Sequence, residues 1–111
     1  MTSPEPVSVE FAVRRSEDAD GAVLWLSGEL DLASAPRLKE AIHDVEVDGQ
    51  RRLLLDLSQL AFMDSTGLAV VVAAREHADA SGSRLVLRRP MPQVKRLLSL
   101  VGLIDQLAFE K

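Results

Sequence analysis

The sequence predicts an α/β fold: a single domain on a mixed sheet, with an N-terminal hairpin followed by β-α crossovers whose helices pack on the sheet. Three observations predict it. Two apolar strand-like stretches open the chain with only a polar link between them. Helix-like and strand-like periodicities then alternate. A length of 111 residues leaves room for one core and one domain.

Val7, Val9, Phe11 and Val13 alternate with Ser8, Glu10 and Ala12, which puts the apolar set on one face of a first strand over 7–13. A polar link over 16–21 leads to a second strand over 22–26, where Val23, Leu24, Trp25 and Leu26 fit a strand covered on both faces. Ser34 is placed to cap a helix over 34–45, with Pro36 in its first turn and Leu38, Ala41, Ile42 and Val45 on one stripe. Gly49 marks the return. Residues 53–57, apolar except for Asp56, predict a buried strand parallel to the one before. Asp64 and Ser65 precede a helix that ends near Gly82, with Leu68, Val71, Val72 and Arg75 at three- and four-residue spacings. Its Val70-Val71-Val72 run disfavours an isolated helix, but the cap before it and the alanines continuing to Ala80 favour helix over strand. Residues 85–87 give a third parallel strand. Residues 92–101 give a third helix with Val94, Leu97, Leu98 and Val101 inward and Gly102 as its C-terminal cap. The closing segment, 103–109, carries no clear type. Residues 1–6 read as a mobile tail, so the domain is expected over 7–111.

Composition removes several classes of function. Thirteen basic and 17 acidic side chains leave a net charge of −4, which gives no overall electrostatic reason to bind nucleic acid. Without cysteine there is no disulfide scaffold, thiolate nucleophile or sulfur-ligated zinc, and a cytoplasmic setting is expected. The longest uncharged, weakly polar run, 67–74, is far short of the roughly 20 residues that cross a bilayer. The six glycines fall one per turn and none opens a phosphate-binding loop. His43 and His77 lie on different helices with no acid at a metal-binding offset, so surface roles are expected for both. No cofactor or metal, and no enzymatic activity, is expected.

In open sheets of this kind functional groups gather where strands end and helices begin. Two stretches qualify: Gly28-Glu29-Leu30-Asp31 and Phe62-Met63-Asp64-Ser65-Thr66-Gly67. Ser65 is no hydrolase nucleophile, because the elbow needs glycine on both sides and position 63 is methionine. Asp64-Ser65-Thr66-Gly67 is no acid-protease motif either, since it has an inserted residue and no second copy. Either Asp64 or Ser65 suits a helix cap. A hydroxyl at a helix start also tolerates added phosphate, on the expectation that free N–H groups and the helix dipole stabilise an anion there. Leu30, Met63 and Leu68 are candidates either for exposed apolar area or for core.

Gly28-Glu29-Leu30-Asp31, Leu55-Asp56-Leu57-Ser58, Phe62 through Leu68, Val94 through Leu98 and Val101-Gly102-Leu103 together resemble the STAS domain of bacterial anti-sigma-factor antagonists, over roughly 7–109. The resemblance implies that Ser65 is phosphorylated by a partner that is both an anti-sigma factor and a serine kinase. It implies that the unphosphorylated form binds that partner and frees a sigma factor, and that a phosphatase reverses the modification. It implies a partner surface of Gly28, Glu29, Asp31, Asp64, Ser65, Thr66 and Gly67. Thr66 offers a second hydroxyl beside Ser65. Other STAS domains serve lipid-transport complexes or stress-signalling assemblies without switching, and that is the alternative the resemblance leaves open.

Overall fold

The computed structural model describes residues 10–102 and 107–110. The chain runs β1 (Ala12–Asp18), β2 (Gly21–Leu30), α1 (Ala35–Val47), β3 (Arg52–Met63), α2 (Ser65–Ser81), β4 (Arg84–Arg88), α3 (Pro92–Leu100) and β5 (Ala108–Phe109). One sheet holds the strands in the order β1-β2-β3-β4-β5, with β1 antiparallel to β2 and the remaining neighbours parallel. Because each new parallel strand is added on the same side of the last, crossovers of the usual right hand return every helix over one face. Leu38, Ile42 and Val45 of α1, Val71 and Ala74 of α2, and Val94 and Leu98 of α3 accordingly share a core with alternate sheet residues such as Leu24, Leu55 and Leu87. The intervening positions Val23, Leu54 and Val86 form a small cluster with Trp25 on the other face.

The mixed sheet, hairpin and crossovers are as expected, and the differences lie in where elements begin and end. The first strand is at Ala12–Asp18, not 7–13. Phe11 is buried just ahead of it, while Val7, Val9 and the expected tail fall outside the described residues. The supposed link after Ser16 is ladder, with Ser16 opposite Val23 and Asp18 opposite Gly21. Apolar alternation fails to mark this edge strand because charges pair along it: Arg15 contacts Glu17 at 2.9 Å and Asp48 at 2.7 Å. A two-residue turn suffices between the strands, the Asp18 carboxylate accepting from the N–H of Asp20 (2.9 Å) and Gly21 (3.2 Å).

Strands β2 and β3 continue past their expected ends, at 26 and 57, to Leu30 and Met63. Their pairing shifts register between Trp25 and Ser27 and again between Gly28 and Glu29, with the extra residue in β3 each time, and such bulges break the period that marks β3 in sequence. Helix α3 ends at Leu100, and Val101 is an exposed C-cap rather than an inward residue. Part of the untyped closing segment is β5, beside β4; 103–106 lie outside the described residues. Among the described residues no helix is long and apolar enough to cross a membrane.

Asp56, the polar exception in the 53–57 run, is 1% exposed. It accepts from the Arg88 Nε and Arg89 Nη2 groups, both at 2.7 Å, and from the Ser58 N–H at 2.9 Å. Burial pushes its carboxyl up, but hydrogen bonds from Arg89, Ser58 and Arg88 outweigh this and hold it at about 2.

Candidate functional site

Helix α2 begins at the C-terminal end of β3, and Asp64 makes the junction. Its backbone is extended (φ −103°, ψ −174°), and its Oδ1 accepts from the N–H of Thr66 at 2.9 Å and of Gly67 at 3.0 Å. Of the two candidate caps the aspartate is therefore the cap. Ser65, the first helical residue, is exposed, and its hydroxyl has no hydrogen-bond partner among the described residues. Thr66 is half-buried and Gly67 buried. A Cβ on Gly67 would stand 2.6 Å from Leu30 Cγ and 2.8 Å from its Cδ2, so glycine is what lets α2 start this close to β2. One expectation needs correcting. The N–H groups of Thr66 and Gly67 are already held by the Asp64 carboxylate, so a phosphate on Ser65 finds them occupied and gains a negative neighbour.

The turn from β2 into α1 repeats the arrangement. Asp31 Oδ1 accepts from the N–H of Ala33 at 3.0 Å and of Ser34 at 3.1 Å. Ser34 is the N-cap of α1, as expected, with helical backbone angles (φ −96°, ψ −15°) and no side-chain cap bond. Its hydroxyl instead accepts from the Asp31 N–H at 2.9 Å and donates to the Glu29 carbonyl at 2.9 Å. At 7% exposure it braces the turn from inside.

These two turns form one edge. Leu30 lies opposite Met63 and Glu29 opposite Phe62 in the parallel ladder, and the Asp64 N–H donates to the Leu30 carbonyl at 3.1 Å. The edge presents Glu29, Asp31, Asp64, Ser65 and Thr66 from the expected partner surface. Gly28 and Gly67 are buried and act through the backbone. Gly28 has φ +82°, and a Cβ there would sit 2.1 Å from the Glu10 carbonyl oxygen, which no side chain tolerates.

Leu30, Met63 and Leu68 are core, at 0%, 1% and 7% exposure. The exposed apolar side chains near this edge are Leu32, Phe62 and Met91, of which only Phe62 falls in the stretches that the sequence marks. Met91 is the N-cap of α3, and the start of α3 is fastened to the end of β3 by the Met63 N–H donating to Gln93 Oε1 at 3.2 Å. A glycine inside a strand signals a bulge, and Gly28 is where that signal was available. Leu30 keeps the inward facing of Leu24 and Leu26.

The site holds hydroxyls, carboxylates and apolar side chains, with no histidine or thiol beside Ser65 to activate it. His43 and His77 are both exposed, and His77 contacts Glu46 at 2.7 Å. Among the described residues no group of three His, Asp or Glu is placed to hold a metal.

Comparison with known proteins places these features in a group. Residues 10–111 match the STAS domain family. The chain is 35% identical over 99 residues to the anti-sigma-B factor antagonist of Listeria monocytogenes, covering 89% of this chain and 84% of that protein. It is 36% identical over 104 residues to the anti-sigma-F factor antagonist RsfB of Mycobacterium tuberculosis, covering 93% and 80%. In structure it is similar to the crystal structure of an anti-sigma factor antagonist from Mycobacterium paratuberculosis, with a TM-score of 0.83 and 26% identity over 98% of this chain and 89% of that one.

Proposed function

Because the chain belongs to the STAS domain family, we propose that it is an anti-sigma-factor antagonist controlled at Ser65. The unphosphorylated protein binds an anti-sigma factor that is also a serine kinase and thereby releases a sigma factor. That partner transfers phosphate from ATP to the Ser65 hydroxyl, the complex parts, and a phosphatase returns the protein to its binding form. The chain itself is the substrate and performs no catalysis.

One observation carries this reading: Ser65 is an exposed serine with an uncommitted hydroxyl, at the first position of α2, on the edge where the ends of β2 and β3 meet. The related antagonists named above support the class of partner. The edge also explains the direction of the switch. A neutral serine lets a partner close over Leu32, Phe62 and Met91 and bury apolar area. A phosphoserine adds roughly −1.5 to −2 charges beside Asp64, Glu29 and Asp31, and the nearby Thr66 and Gly67 amides are taken. The added charge then has to be desolvated on binding without those two amides.

The test is binding of the cognate anti-sigma kinase to the unmodified protein, to the phosphorylated protein and to Ser65→Asp, by calorimetry. Tight binding only by the unmodified form is the expected result. Equal affinity for all three would show that this edge is not the switch.

A further inference from the structure

We propose that the cleft between the C-terminal halves of α1 and α2 binds a small amphipathic cation, an ammonium or amidinium group on a short apolar body. The cleft holds about 350 Å³, within the roughly 300–1,000 Å³ of small-molecule pockets. Its floor is apolar, formed by Ile42, Val45, Leu53, Ala74, Ala78 and Leu85. It exists because α2 presents alanines there, too short to fill the space that the larger α1 side chains leave open.

Glu46 supplies the carboxylate at the mouth. Glu46 from α1 and His77 from α2 meet across it, Oε2 to Nε2, at 2.7 Å, and both side chains remain in contact with solvent. Helices α1 and α2 both end at this opening, and neither carries a basic residue in its last turn. Two negative dipole ends therefore converge there without a compensating charge from their own helices. The Ser81 and Ser83 hydroxyls already donate, to the carbonyls of His77 (2.8 Å) and Ala78 (3.4 Å), so what they keep for a ligand is lone pairs. Against these acceptors the rim sets the exposed Arg51. The balance favours a ligand that donates hydrogen bonds and carries positive charge, its head displacing His77 from Glu46 and its body covering the floor. The cleft lies at the far end of the 17-residue α2 from Ser65, about 25 Å away at 1.5 Å per residue, so it stands apart from the function proposed for that edge.

The test is an amide-resolved NMR titration of the full chain with n-hexylammonium, n-hexanol and hexanoate as probes. Saturable shifts at Val45, Ala74, Ala78 and Leu85 are expected with hexylammonium, with the alcohol and the carboxylate binding about tenfold more weakly, the ratio one charge-assisted hydrogen bond supplies. Glu46→Gln, a surface change, is expected to reduce hexylammonium to the level of the alcohol, and Ala78→Leu to abolish binding by filling the floor. If Ala78→Leu fails to fold, Glu46→Gln decides alone. Absence of saturable shifts with hexylammonium overturns the proposal. So does hexanoate binding as tightly as hexylammonium, or a charge preference that survives Glu46→Gln.

Discussion

The turns that lead into α1 and α2 are built alike and leave their serines in opposite conditions. In each an aspartate carboxylate accepts from the N–H groups two and three residues on: Asp31 from Ala33 and Ser34, Asp64 from Thr66 and Gly67. In each a serine follows within three residues. Ser34 is buried with its hydroxyl committed to Asp31 and Glu29, whereas Ser65 faces solvent. A serine that follows such an aspartate is thus not in itself a modification site. The distinction is whether the fold has already used the hydroxyl.

The largest expected effect comes from the backbone that holds the two turns together. Gly28→Ala combines a left-handed backbone with a contact of 2.1 Å to the Glu10 carbonyl oxygen and is expected to cost about 3 kcal/mol. Chemical denaturation measures it, and an unchanged midpoint would mean that the bulge joining the turns is not fixed by this glycine.

Acid comes next, and it acts away from both turns. The Asp56 carboxyl is lowered to about 2 from an ordinary value near 3.9. A lowered folded-state value means the ionised pair stabilises the fold above about pH 4 and is lost as pH falls toward 2, a change of about 2 kcal/mol. Denaturation midpoints followed from about pH 5 to pH 2 are expected to fall in the native protein, and to fall less steeply in Asp56→Asn.

The two serines then separate the turns themselves. Ser34→Ala leaves the Asp31 N–H and the Glu29 carbonyl without their partner and is expected to cost about 1–2 kcal/mol while leaving phosphorylation intact. Ser65→Ala is expected to change stability by no more than about 0.5 kcal/mol and to remove the phosphate. Thermal melts beside a labelling assay read both. A stability loss at Ser65 matching that at Ser34 would erase the contrast.

Much of this was legible in the sequence. Apolar stripes placed all three helices, and Gly82 closed α2 with φ +77° where the periodicity stopped. The pairing of Asp64 with Ser65 marked the junction at the end of β3. What escaped has physical reasons. The strand β1 was misplaced because its inward Arg15 is neutralised by Glu17 and Asp48, and a period of apolar residues does not register a paired charge. The end of β3 escapes because extra residues between Asp56 and Gln59 and between Leu60 and Phe62 reset its facing, leaving Leu57, Leu60 and Met63 as the buried positions, while β2 keeps its alternation through Leu24, Leu26 and Leu30 but has its apolar run interrupted by Ser27, Gly28 and Glu29. Ser34 holds the N-cap position of α1 that its residue type suggests, and only the folded turn shows that its hydroxyl serves Asp31 and Glu29 rather than the helix.

The most direct measurement is mapping of the phosphate by fragmentation mass spectrometry after incubation with the cognate anti-sigma kinase and ATP. The expected result is a single phosphate on Ser65, absent in Ser65→Ala and unaffected in Ser34→Ala. Phosphate on Thr66 or Ser34, or labelling that persists in Ser65→Ala, would contradict the assignment of the switch to the uncommitted hydroxyl at the start of α2.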